Sequence, residues 1–247
     1  MSDCPVGYTR DTSASPVILC TRTVTLGSAP LRDEMVRVGT GPTAFWVDRY
    51  EASVHNTATG AQLGASTTSG GGADDIAGSG LSRSGQRLAG DGPARALSHP
   101  GQPTVNVTWF QANEACRASG KRLMRRDEWF AASSGTADDT RCNTSGSGAW
   151  AAAPTNRCVS SAGAHDMIGN VWEWTDEWYA GNGPTAPVNA ALTNWPAEYN
   201  GDATWNINGA VNRGDGNQLG IPSAAIRGGY LSHGPQAGVF ALGLNWG

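Results

Sequence analysis

The stretch "DMIGNVWEWTDEW", residues 166–178, decides how the rest of the chain is read. Its first half carries Asp, Gly and Asn, the residues of a tight turn, and its second half alternates large aromatic and acidic side chains. Trp172 and Trp174 lie two apart and point the same way on an extended segment, with Glu173 facing the other side. Such anchors suit the composition. The 247 residues include 10 Trp, 34 Gly and 13 Pro, and only 15% are charged, which describes a loop-rich fold with aromatic anchors and not a helical bundle.

Working outward, "IRGGYL" (226–231) supplies two glycines where the backbone must turn or pack closely, and "AGVFALGLNWG" (237–247) alternates like a strand. Upstream, Thr108 is placed to cap a helix over "WFQANEACRAS", with Phe110, Ala112, Ala115 and Cys116 toward its buried face and Gly120 as its stop. A second short helix is expected in "RRDEWFAASSG" (125–135), burying Trp129, Phe130 and Ala132. Residues 43–54 alternate as one strand, with Asp48 and Glu51 read as scaffold salt-bridge members, and "VILCTRTVTL" (17–26) is β-branched and extended. Between 56 and 101 periodicity vanishes into Gly, Ser, Ala and Thr, which predicts irregular loop.

The net charge of −4 provides no basic field, so nucleic acid is not an expected partner. No stretch approaches the about 18 apolar residues of a membrane span, and the opening "MSDCPVGYTR" shows no signal peptide. Five cysteines stand at 4, 20, 116, 142 and 158; the pairs 4/20 and 142/158 each enclose a loop of the kind disulfides staple, although spacing alone does not fix connectivity. Any such bond implies an oxidising compartment. The histidines at 55, 99, 165 and 233 have no HxxxH spacing and there is no CxxC, so no zinc site is expected. "NTS" at 143–145 fits the N-glycosylation pattern.

Three stretches, "PTVNVTWFQANEACRASGKRLMRRDEWFAAS", "DMIGNVWEWTDEW" and "IRGGYL", occur in the order that resembles the sulfatase-modifying-factor family of formylglycine-generating enzymes. The resemblance implies an α+β, C-type lectin-like fold, loop-rich, with short antiparallel strands and two short helices. It divides the chain into N-terminal strands at 1–42, which cap a lectin-like domain at 43–247 with a Gly-rich insertion at about 56–101 and a variable region at about 227–247. It also implies a structural Ca2+ held at Asp166, Gly169, Val171 and Glu173, a set of hard oxygen donors on a tight loop. Arg227 is a natural alternative partner for Glu173.

The family's two copper-binding catalytic cysteines fall, counted without gaps, on His233 and Gly238. Neither residue forms a disulfide or a thiolate complex, so no catalytic residue and no redox cofactor are expected. The frame "RGGxxxxGxxAGVFALxLxxG" instead resembles the variable region of diversity-generating retroelement proteins, in which chosen codons change while a lectin-like frame holds. On that resemblance Gly228, Gly229, Gly234, Ala237, Gly238, Val239, Phe240, Ala241, Leu242 and Leu244 form the frame. Tyr230, Ser232, His233, Gln236, Gly243 and Trp246 fill outward gaps, and Leu231 and Asn245 belong to either class; all eight are candidate ligand-binding positions. The implied protein is a hypervariable receptor-binding or adhesion protein, extracellular, on a cell surface or on a virion, whose partner is a protein or glycan on another surface. An oxidoreductase of the same superfamily with an atypical site, and an invariant lectin-like adhesion module, are the competing readings.

Overall fold

The β-branched N-terminal stretch forms the strands its composition calls for. In the computed structural model, which describes residues 4–64, 93–146, 157–179, 204–205 and 223–244, β1 (Thr9–Asp11) pairs antiparallel with β2 (Leu19–Leu26) and β2 with β3 (Ala29–Val38). The β2–β3 hairpin closes over two residues because Gly27 adopts φ +58°, where a Cβ would stand 2.5 Å from the Thr59 carbonyl oxygen. β3 then pairs with β4 (Phe45–Asp48), so this four-stranded sheet runs across the domain division expected at 42/43.

The single strand expected at 43–54 is two strands in different sheets. After β4 the chain leaves the first sheet, and β5 (Ser53–Asn56) lies between β6 (Gln62–Leu63) and β7 (Ala94–Leu97). The ends of the stretch expected to be irregular are therefore ordered: Asn56 Oδ1 accepts the amides of Ala58 and Thr59 to make the β5–β6 turn. Residues 65–92 lie outside the described residues.

Helix α1 (Trp109–Ala118) opens with a capping box, Thr108 accepting the Gln111 amide while the Gln111 side chain accepts the Thr108 amide, and it stops at Gly120. Its expected apolar face needs correcting, because both sides of the helix are covered. Ala115 packs on Val54, Ala94 and Ala96, and Phe110, Ala112 and Cys116 lie against Trp109, Leu123, Ala224 and Trp174, while Gln111, Asn113 and Glu114 are also buried. Helix α2 (Arg126–Ser133) buries Trp129 and Ala132 as expected and leaves Phe130 half-buried. The last sheet has the order β8-β10-β11-β9, formed by β8 (Glu173–Tyr179), β10 (Ser223–Gly228), β11 (Gly238–Gly243) and the parallel neighbour β9 (Thr204–Trp205). The fold class is α+β. Its main core joins the first sheet (Leu19, Val36, Val38, Val47) to α2 (Trp129, Ala132) and to the loop residues Ala164 and Met167.

Lys121, the only lysine in the sequence, ties the helical segment to the first sheet. Its ammonium lies 2.7 Å from both Asp33 Oδ1 and Asp48 Oδ1. Asp33 also accepts from Arg22 Nε (2.9 Å), the Tyr8 hydroxyl (2.6 Å) and the Ser98 amide (2.8 Å). Burial alone pushes the Asp33 carboxyl up, but Lys121, Tyr8 and Ser98 outweigh it and hold the group below its ordinary value. Asp48, with fewer donors, is pushed up to about 6 by the same burial in spite of Lys121. Lys121→Ala leaves the buried Asp33 carboxyl facing the half-buried one of Asp48 and is expected to cost about 3 kcal/mol in urea denaturation, the low end of the range for breaking a buried ion pair on one side. A loss under about 1 kcal/mol would show that water replaces the ammonium.

Candidate ligand-binding turn

β10 ends at Gly228 and is followed by Gly229, with φ of +87° and +82°, and the register to β11 jumps from Arg227↔Leu242 to Gly228↔Gly238. The residues between form a turn at 231–232 and a short 3-10 helix at Gly234–Gln236. Only glycine fits at 229, since a Cβ there would stand 2.7 Å from the Ala237 Cα. The loop is held by backbone hydrogen bonds from three directions: Gly169 N to Gly228 O (3.0 Å), Leu231 N to Asn170 O (3.1 Å) and Gly234 N to Thr144 O (2.6 Å). Behind it the Cys142–Cys158 disulfide packs with Ile168, Ala237 and Val239.

Asn170 is the hub of this brace. It is fully buried at φ +55°, its amide donates to Asn143 O, and its side chain donates to Glu51 Oε2 and accepts from Asn143 Nδ2 (3.0 Å). Glu51 also accepts the Val171 amide at 3.1 Å. Glu51 is thus the clamp of the 166–171 loop and not the salt-bridge member expected, whereas Asp48 does pair with Lys121. Asn143, 1% exposed, belongs to this interior, which rules out glycan attachment there in the folded chain.

The structure places the expected frame and gap positions at different depths, and two of the candidate binding positions are buried. Gly228, Gly229, Ala237, Gly238, Ala241 and Leu244 are buried, while Gly234, Val239, Phe240 and Leu242 are half-buried. Ser232 and Gln236 are exposed, and Tyr230 and His233 are half-buried. Gly243, however, is buried, and a Cβ there would meet Ile226 Cγ1 at 2.7 Å and Cδ1 at 2.9 Å, so it is frame. Leu231 is 2% exposed and is also frame, carried inward by the turn that its amide pins to Asn170. Asn245 and Trp246 lie outside the described residues. Sequence reasoning missed the third ring of the surface: Trp172 from the loop before β8 packs edge-on against His233 (centroids 5.2 Å apart), which packs edge-on against Tyr230 (4.1 Å). Burial drives the His233 imidazole down to about 4, and its Nδ1 accepts the Tyr230 amide at 3.3 Å.

Asp166, Gly169 and Val171 lie on the curled loop that the brace fixes, and Glu173 opens β8 directly after it. Asp166 and Gly169 have φ of +60° and +73°, and Asp166 is fully buried. Glu173 accepts from Trp129 Nε1 at 2.5 Å; Arg227, its cross-strand neighbour, pairs instead with Glu177 (2.9 Å) and stacks on Phe130 (4.8 Å). Burial first, with Asp166 beside it, raises Glu173 to about 8, and burial with Asp166 and Glu173 raises Glu51 well above the carboxylate range. Among the described residues no three of His, Cys, Asp or Glu form a metal cluster by side chains alone. The implied calcium set uses two side chains and two carbonyls. Its oxygens and the mutual repulsion of the buried carboxyls fit a hard dication.

Comparison with known proteins agrees with this architecture. The model of the sulfatase-modifying factor enzyme 1-like domain matches residues 23–216. The chain belongs to this family. The match ends before β10, so the braced turn and β11 lie beyond it. A formylglycine-generating enzyme of Thermomonospora curvata is 29% identical over 118 residues, 37% of this chain and 39% of that protein. The serine/threonine-protein kinase Pkn1 of Chlamydia trachomatis is 34% identical over 101 residues, 35% of this chain and 16% of that protein. The matched parts therefore span less than two-fifths of either relative. Among solved structures, the Major Tropism Determinant U1 variant aligns with 99% of this chain and 62% of its own at 19% identity and a TM-score of 0.42.

The burial pattern separates two kinds of substitution. Gly229→Ala and Gly243→Ala are each expected to lower the unfolding free energy by about 1–3 kcal/mol through overpacking, while Ser232→Ala and Gln236→Ala stay within about 0.5 kcal/mol; equal effects in urea denaturation would contradict the division. For His233 the folded value of about 4 lies below the ordinary 6.5, so the unfolded chain takes up the proton first. The stability from this group is complete above about pH 6.5 and is lost as pH falls toward 4. An NMR titration, assigned with His233→Gln because His165 is also driven down to about 4, is expected to give a midpoint near 4; a midpoint near 6.5 would mean that the ring is not packed as described.

Proposed function

We propose that this chain is a non-enzymatic ligand-binding protein that displays variable residues at 230, 232, 233, 236 and 246 from a lectin-like frame, and that a retroelement diversifies those positions. The observation that supports this reading is the contrast inside one turn: Ser232 and Gln236 are exposed beside Tyr230, His233 and Trp172, while the backbone carrying them is held by Gly169, Asn170 and Thr144. Aromatic rings give contact area at low entropy cost, Ser, His and Gln add adaptable hydrogen bonds, and a fixed backbone lets them change without loss of the fold. A protein or glycan on another surface is the partner such a patch suits.

The cysteines argue against thiol oxidation chemistry here. Four are in disulfides, Cys4–Cys20 and Cys142–Cys158, and the Cys116 thiol is pushed up to about 12 by burial, next by Asp48. The two disulfides favour an extracellular or virion setting, and no helix of the described residues is long and apolar enough to cross a membrane. Calcium at Asp166, Gly169, Val171 and Glu173 would act structurally, stiffening the loop that carries Asn170 and Trp172.

Sequencing the 3′ end of the gene across a population of its host or phage tests the reading. Substitutions are expected to concentrate at codons 230, 232, 233, 236 and 246, with 228, 229, 231, 237, 238, 241 and 243 constant. A uniform stretch would overturn retroelement diversification.

A further inference from the structure

Two histidines 44 positions apart in sequence meet beside a serine. Ser53 and His55 project from the same face of β5, being alternate residues of one strand, and His99 arrives two residues after Leu97, the β7 partner of Ser53. The Nε2 atoms of His55 and His99 are 3.0 Å apart, and Ser53 Oγ is 2.9 Å from each. His55 is buried and His99 half-buried.

A count of protons shows why this group is incomplete as it stands. His55 Nδ1 is 3.1 Å from the Gly60 carbonyl oxygen and His99 Nδ1 is 2.8 Å from that of Pro100. A carbonyl only accepts, so each Nδ1 carries a proton, and in a neutral ring Nε2 then presents a lone pair. The Ser53 hydroxyl has one hydrogen for three acceptors, these two nitrogens and the Leu97 carbonyl oxygen at 3.3 Å. Two nitrogen lone pairs thus face each other at hydrogen-bond distance with no proton between them. An ion between them resolves the clash.

We propose that Ser53, His55 and His99 form a binding site for a divalent transition metal of the zinc class. Imidazole nitrogen suits such ions, and ligating histidines commonly donate their other N–H to a backbone carbonyl, as both do here. Two nitrogens each about 2.0–2.1 Å from one ion stand roughly 3.3–3.4 Å apart at the tetrahedral angle and about 2.9 Å at a right angle, so from the 3.0 Å observed the rings need separate by only a few tenths of an ångström to hold a tetrahedral ion. Ser53 Oγ is the third protein donor, and water reaching the half-buried His99 completes the shell. The ion would fasten β5 to the chain leaving β7.

The test uses the full chain, stripped with chelator and titrated with Zn2+ in the presence of excess Ca2+, with calorimetry and thermal unfolding as readouts. The expected result is one equivalent bound with a raised unfolding temperature, undiminished in His233→Gln, and an affinity at least about tenfold weaker in His99→Ala and His55→Gln. If His55→Gln does not fold, His99→Ala alone decides, because its side chain is half-buried. Absence of zinc uptake by the wild-type chain, or uptake equal in wild type and His99→Ala, would overturn the proposal and leave the two rings sharing an added proton.

Discussion

The buried Asn170 side chain, held between Glu51 and Asn143, is the constraint on which the C-terminal surface depends. Its own backbone carbonyl accepts Leu231, its neighbour Gly169 donates to Gly228, and the 143–146 strand of chain it grips accepts Gly234 through Thr144. Three segments remote in sequence are thereby registered to within a hydrogen bond of one another. Removing a buried polar partner costs about 1–3 kcal/mol for each group left unsatisfied, so the brace is cooperative: its members stand or fall together.

The same economy of polar contacts explains how a chain with few long elements keeps a fixed shape. Lys121 fastens the helices to the first sheet through Asp33 and Asp48, and Arg227 fastens β10 to β8 through Glu177 while its guanidinium covers Phe130. Each charge is buried against named partners, so each specifies a position as well as contributing energy. The two disulfides each close a sequence separation of 16, and loops of that length lose about 3 kcal/mol of unfolded-chain entropy when closed.

Much of this was legible in the sequence where local rules dominate. Thr108 and Gly120 bounded α1, Trp129 and Ala132 marked the inner face of α2, and the GNVWEW and RGG motifs pointed to the family and to the turn. What escaped was set by partners distant in the chain. Residues 43–54 alternate throughout, yet β4 and β5 join different sheets because their partners, β3 and β7, lie in different layers. Gly243 looks like a gap in the frame until Ile226 is placed over it, and Leu231 looks ambiguous until Asn170 pulls its amide inward. His55 and His99 carry no spacing signature because β5 and β7 supply the proximity.

These constraints give the central claim its physical content: the frame is rigid at its backbone and permissive at a few outward side chains. The most direct measurement randomises positions 230, 232, 233 and 236 together in a panel of variants, with an equal panel at 229, 231, 237 and 241, and records the cooperative unfolding midpoint of each member. Most of the first panel is expected to fold with midpoints within a few degrees of the parent, and most of the second to lose cooperative unfolding. Comparable losses in both panels would contradict it, since the turn would then depend on the very side chains it is held to display.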